Sequence, residues 1–422
     1  MQTAKNTRFA FVLLFLLYMF DYIDRMVIVS LFPFLKAEWQ LSDTQCGLLV
    51  SAVYWSILLF SFPVSILIDR WSRTKTIGLM SVLWSLATLM CVFTKNFKQL
   101  FMARIAIGVG EAGYAPGGTA LISALYPPEK RARMLGIWNA SIPLGSAVGI
   151  AAGGIIAEHF GWRNAFGIVA IPGLIFALLF FRVKDYKTVR LGTQLRDATT
   201  GSIRQGRTAI YTVSSFLKPS LIFNNLAFAA NVFVTTAMLS WLPTYYHRLD
   251  GIPMSQAGPK SGLILFMAII GAPLGGYLSD RWTARSKQGR MLFPALSSIV
   301  SALILFLAFN YLSGNLQYGV LLLAGITLIM FVPAGVAVTQ DVVHPGLRAT
   351  SLSVNIVVQH SLGSPLGPLF VGAMSDNYGL TRALGVLPAF ALLAGFLFLA
   401  GSFFYARDLD SVEEVGIVLE EN

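Results

Sequence analysis

Charge is what this sequence has least of. Asp, Glu, Lys and Arg together make up 12% of its 422 residues, about half the share in an average soluble domain. Hydrophobic residues reach 55% and the mean hydropathy is +0.68, which excludes a soluble protein and indicates an integral membrane one. Cysteine is scarcer still: Cys46 and Cys91 are the only two. That excludes a disulfide framework and a cysteine-rich metal centre, and both are read as small apolar residues rather than a bridge. The sequence has no phosphate-cradling P-loop, no Cys and His cluster with metal spacing, and no G-x-S-x-G elbow. No enzyme activity, metal or cofactor is therefore expected. Gly108-Val109-Gly110-Glu111-Ala112-Gly113 has dinucleotide-loop spacing, but it lies inside an apolar stretch with no strand before it.

Apolar runs are what the chain has most of. A membrane span needs about 20 largely apolar residues, and twelve windows qualify: 9-33, 46-68, 75-94, 98-120, 133-158, 163-182, 219-243, 258-280, 291-310, 315-339, 348-374 and 382-405. The expected fold class is an all-α membrane protein with twelve transmembrane helices. Lys5 and Arg8 before Phe9 to Phe20 mimic a secretory signal, but no small-residue cleavage site follows, so the run reads as an uncleaved first span. The net charge of +11 would suggest nucleic-acid binding in a soluble protein. Here 22 Lys and Arg fall on the side of the two termini and 7 on the other. This bias is the positive-inside rule, so it implies a plasma (inner) membrane protein with both termini cytoplasmic and no nucleic-acid partner.

The chain repeats itself across its midpoint. Asp69-Arg70-Trp71 returns as Asp280-Arg281-Trp282, 211 residues on; Gly145, Gly149, Gly154 and Gly161 return as Gly363, Gly367, Gly372 and Gly379, 218 residues on. Six spans separate each pair. The expected organisation is thus a six-helix bundle over 1-182, a polar cytoplasmic linker over 183-218, and a second six-helix bundle with a short tail over 219-422, with a site between the pseudo-symmetric halves. Arg190, Arg196, Arg204 and Arg207 lie in the linker, which could form a short amphipathic helix on an anionic leaflet.

Ser65, Asp69, Arg70, Trp71, Arg73 and Lys75 after span 2, echoed by Gly276, Asp280 and Arg281 after span 8, resemble the loop signature of the major facilitator superfamily. The resemblance runs over essentially the whole length and implies a monomeric transporter working by alternating access. It assigns Asp69, Arg70, Arg73, Asp280 and Arg281 to gating contacts that break as the halves rock. Within the superfamily, Tyr22-Ile23-Asp24-Arg25 and Arg104 through Gly108-Val109-Gly110-Glu111-Ala112 resemble spinster-type transporters, and also the sugar-acid and organic-anion members of the anion:cation symporters. Trp241-Leu242-Pro243-Thr244-Tyr245 fits both groups.

Four ionised residues at membrane depth cost about 2.5 to 3.5 kcal/mol each on insertion scales, so they mark a site. Asp21, Asp24 and Arg25 share one stripe of span 1, and Arg104, Gly108 and Glu111 one stripe of span 4. Asp24 and Glu111 are the expected proton carriers. Arg25 and Arg104, with planar donor forks, are the expected anion ligands. Tyr22 and Tyr114 share their depth. Charge is absent from the interior of the C-terminal spans, so Asn224, Asn231, Gln359 and His360 are the expected neutral contributors. The reading is proton-coupled transport of a small organic anion. Lipid or lysolipid transport of the spinster kind, and facilitated or outward passage of apolar compounds, are its alternatives.

Overall fold

The computed structural model describes residues 2–70, 72–183, 216–344 and 347–412. All regular structure among them is helical. Among the described residues nine helices are long and apolar enough to cross a membrane, and they match nine of the twelve expected spans. The remaining three are spans 1, 4 and 11, which carry charge or are broken. Span 1 is helical over Gln2–Val27, turns through Ile28–Ser30, and continues as a short helix, Phe32–Trp39, with Pro33 in its first turn; proline suits that position because its missing N–H would be unpaired there anyway. Span 4 breaks between Phe97–Glu111 and Tyr114–Leu125. Span 11 runs Arg348–Val358, loosens into a π-helical turn at Gln359–Gly363, and resumes at Leu366–Tyr378 after Pro365. The side chains of Asp69, Arg70 and Arg73, and most of the 183-218 insert with its four arginines, lie outside the described residues.

The spans alternate in direction. At one membrane face Phe11 of span 1 packs on Tyr126 beyond span 4, and Lys218 before span 7 donates to the Asp408 carbonyl at the end of span 12. At the other, Arg163 opening span 6 grips Glu38 with two hydrogen bonds of 2.9 and 2.7 Å, and Trp162 donates a third. These bonds hold the Glu38 carboxyl below its usual range, Arg163 contributing most. The first face is called here the terminal side and the second the distal side.

The glycine repeat has a structural meaning. A Cβ on Gly145 or Gly149 in span 5 would strike the carbonyl oxygens of Met19 or Ile23 in span 1; one on Gly363 or Gly367 in span 11 would strike those of Ala229 or Phe233 in span 7. The struck residues are themselves offset by 210 between the halves. Gly154 presses on the Met254 carbonyl at the start of span 8, and Gly372 on the Asp43 carbonyl at the start of span 2, again offset by 211. Packing in lipid relies on such close backbone approach, because tails outside are as apolar as side chains inside. Each half therefore uses the same helix pair for internal packing and the same contact to reach its partner.

Most hydrogen bonds joining the two halves among the described residues lie on the distal side, and one more, from Ser51 to the Pro365 carbonyl, lies two turns deeper. Asp376 accepts from the amides of Asp43 and Thr44 at 2.7 and 2.9 Å and from the Thr44 hydroxyl at 2.6 Å. Its repeat equivalent, Glu158, accepts from the Met254 amide at 3.1 Å. Each half thus caps a helix start of the other. The Asp43 carboxylate also takes two bonds from Arg248, at 2.8 and 2.6 Å, one from Ser375 and one from Lys36. The molecule is closed on this side.

Gly149→Val should lower the thermal unfolding midpoint in detergent, since overpacking against the Ile23 carbonyl costs about 1–3 kcal/mol. Gly136→Val, where nothing lies within 4 Å of the new Cβ, should leave the midpoint unchanged.

Candidate functional site

Arg25 closes the long helix of span 1 and is almost wholly buried. One of its terminal nitrogens lies 3.0 Å from Asp21 Oδ2, one helical turn back, and 2.8 Å from Glu111 Oε2 on span 4. The first contact is an aligned hydrogen bond; the second is an ion pair without that alignment, and both Glu111 oxygens lack a hydrogen-bond partner. Arg25 Nε is also unpartnered. Tyr22 and Tyr54 face the guanidinium, with ring centroids 4.6 and 5.5 Å from its central carbon, within cation–π range. Glu111 reaches this spot because Gly108 and Gly110 let its helix press on Val53 and Trp84, where a Cβ would meet backbone atoms at 2.6 and 2.7 Å. The helix then breaks at Ala112 and Gly113, directly after the carboxylate.

Arg104 does a different job. Fully buried, it donates to three backbone carbonyls: Leu49 of span 2 at 3.1 Å, Asp24 at 3.3 Å and Arg25 at 3.1 Å. It therefore ties spans 1, 2 and 4 together beside the Arg25 cluster, and its fork is turned to main chain instead of to a carboxylate. Asp24 is turned away from Arg25. Its Oδ2 accepts from Thr88 of span 3 at 3.3 Å, and its Oδ1 has no partner. The centre thus holds one guanidinium shared between two carboxylates, and a third carboxyl set apart against span 3.

These are the features by which the chain can be placed among known proteins. The family described as Major Facilitator Superfamily matches residues 14–368. The chain belongs to this superfamily. It is 25% identical over 375 residues to the hexuronate transporter of Bacillus subtilis, covering 87% of each chain, and 27% identical over 398 residues to protein spinster homolog 1 of Xenopus laevis, covering 88% of this chain and 73% of that one. Its fold is similar to that of a bacterial homologue of the human lysosomal transporter spinster, solved in an inward-facing and occupied conformation, with a TM-score of 0.82 at 22% identity over 95% of this chain and 98% of that one. As a superfamily member it is a secondary transporter.

The remaining candidates of this superfamily chain fall into three groups. Tyr22 lies on Arg25, whereas Tyr114 is buried and donates to the Leu14 carbonyl at 2.6 Å, sharing that acceptor with Trp138. In the C-terminal half, Asn231 donates to Ser298 and Asn224 to the Gly335 carbonyl, both within that half. Gln359 donates to Asn355, which donates to Asn225, a ladder linking spans 11 and 7. His360 alone reaches across: its ring centroid is 5.8 Å from that of Tyr54. Of the gating candidates, Asp280 pairs with Arg290 at 2.5 Å and Arg281 donates to the Tyr277 hydroxyl, so both are engaged within their own half. Among the described residues no His, Cys, Asp and Glu cluster could hold a metal ion, and Cys46 and Cys91 are free and buried.

Sequence reasoning left out Asp21 as a site residue, although its spacing from Arg25 was the available signal. It also missed Tyr54, Asp43, Arg248 and Asp376, whose roles depend on which half they face.

Arg104→Lys keeps the charge but cannot reach three carbonyls on two helices. It should lower stability by about 2 kcal/mol, the scale of a hydrogen bond to a charged group, read as a lower unfolding midpoint without ligand.

Proposed function

We propose that this secondary transporter moves a small organic anion together with protons, and that Arg25 is the anion's ligand. The observation that supports this most is the sharing of Arg25 between Asp21 and Glu111. A substrate carboxylate has the same shape and charge as either partner, and the planar fork of arginine suits it. When the anion binds, at least one of the two side-chain carboxylates loses its counter-charge in a setting where a lone charge is expensive. Taking a proton removes that cost. The charge balance points the same way: three buried carboxyl groups, Asp21, Asp24 and Glu111, share a neighbourhood with two arginines, Arg25 and Arg104, so an added anion leaves the group short of positive charge by one more unit. Asp24, set apart against Thr88, supplies a second proton-holding position.

The B. subtilis relative named as a hexuronate transporter supports a sugar acid as the substrate class, and the Asn225, Asn355 and Gln359 amides offer neutral partners for its hydroxyls. The positive-inside count supports an inner-membrane location with cytoplasmic termini; the structure would then be closed to the outside. The resemblance to spinster proteins, one of which, from Arabidopsis thaliana, is named a probable sphingolipid transporter, supports a lipid as the rival substrate class, with a lysolipid as its probe.

The test is uptake into proteoliposomes of a hexuronate, a monocarboxylate and a lysolipid, with and without a pH gradient. Wild type should accumulate the hexuronate only with the gradient. Glu111→Gln should lose this accumulation and retain exchange. Equal accumulation by both proteins would refute the coupling role, and uptake of lysolipid alone would replace the anion reading with the lipid one.

A further inference from the structure

The contact between span 2 and span 11 runs without a gap from the distal clasp to the charged cluster. At its top, Asp376 caps the start of span 2 and Gly372 lies against the Asp43 carbonyl. One turn lower, Gly47 lies against the Pro368 carbonyl. Another turn down, Ser51 donates to the Pro365 carbonyl at 2.5 Å. At the bottom, about 16 Å below Asp43 at the helical rise, Tyr54 meets His360 on the π-helical turn. Tyr54 also faces the Arg25 guanidinium.

The other seam between the halves, span 5 against span 8, is built differently. Gly154, Gly258 and Gly262 bring its backbones together, and the Glu158 cap on Met254 is its single hydrogen bond between halves among the described residues. It has no side chain that touches the charged cluster in the way Tyr54 does. Of two pseudo-symmetric seams, one is a smooth small-residue face and the other a polar zipper ending on Arg25.

We propose that Tyr54 is a positioning residue that couples the charge state of the Arg25 cluster to the distal clasp through the span 2–span 11 seam. With Arg25 held between two carboxylates, its guanidinium presents a full charge to the Tyr54 ring, and the ring is fixed against His360. When Glu111 is neutralised, Arg25 is drawn toward Asp21, the ring loses its partner, and the π turn is free to shift against span 2. π-helical turns are sites where one residue can be gained or lost from a helical register, which makes Gln359–Gly363 the place where span 11 can move relative to the clasp. Span 2 carries Tyr54 and Asp43 on one continuous helix, Asp43–Arg70, so a change at one end is felt at the other.

This inference rests on Arg25 being the transport cluster, but its test uses no substrate, so it can fail while the substrate reading stands, and the reverse. Spin labels on Gln40→Cys and Tyr378→Cys, exposed distal positions on opposite halves, report the distal gap by pulsed electron resonance in nanodiscs; Cys46 and Cys91 are buried and take no label. Glu111→Gln, standing in for the protonated acid, should raise the distal-open population by about fivefold or more, the lower end of typical allosteric coupling. In a Tyr54→Leu background the same change should have less than about a twofold effect, below that range, while Tyr54→Phe, which keeps the ring, should restore it. Asp376→Asn should open the gap in every background, because it acts at the clasp itself. A Glu111→Gln response that persists in Tyr54→Leu, or no response to Glu111→Gln in the parent, would overturn the proposal. Should Tyr54→Leu fail to fold, Ser51→Ala interrupts the same seam and carries the same expectation.

Discussion

A guanidinium in the middle of a membrane must be neutralised where it stands, because arginine does not give up its proton and lipid does not solvate it. The rest of the N-terminal half can be derived from that constraint at Arg25. Asp21 is placed one turn below it; Glu111 is brought across by a helix whose glycines permit contact with spans 2 and 3 and which breaks immediately afterward. Arg104 fixes the carbonyls of Asp24 and Arg25 themselves, so the backbone that presents the cluster is held by a second buried charge. One arginine is held by side-chain carboxylates, which an anion could replace, and the other by main-chain carbonyls. A transport site needs both properties, since a ligand that competes for one ion pair must not unfold the frame around it.

The halves are related by more than a count of helices. The same glycine register packs span 5 on span 1 and span 11 on span 7, and equivalent carboxylates, Glu158 and Asp376, cap helix starts across the distal interface. Symmetry of this kind lets one interface be closed while the other is open, because the same backbone contacts serve both arrangements. The departures from symmetry are where function concentrates. The charged cluster at the centre is built by the N-terminal half, and the second half faces it with amides and a histidine on a loosened helical turn. The clasp is also unequal, for Asp43 gathers Arg248, Lys36 and Ser375, while its counterpart Met254 brings only an amide.

The architecture was legible from the chain because it is written in long-range regularities: hydropathy windows mark the spans, and repeated glycines mark the equivalent helix contacts of the two halves. The positions of Asp24, Arg25, Arg104 and Glu111 inside apolar helices marked the cluster for the same reason. Partner choice was not legible. Stripe arguments put Asp24 and Arg25 on one face, yet 100° of rotation per residue is enough to send Asp24 to Thr88 on span 3 and Arg25 to Glu111. Arg104 was read as a substrate ligand from its side-chain chemistry, and nothing in a sequence shows that three main-chain carbonyls surround it. The amide nitrogens of Asn224 and Asn231 are engaged inside their own half by helix-to-helix hydrogen bonds. Tyr54 is one aromatic among many until span 11 is seen opposite it.

The central claim is that an anion displaces a carboxylate from Arg25 and that the displaced group takes a proton. Calorimetric titration of the purified protein with a hexuronate, in two buffers of different ionisation enthalpy, measures the proton change on binding directly. The account predicts uptake of about one proton per anion bound, lost in Glu111→Gln. Binding that moves no proton in the wild-type protein would contradict it.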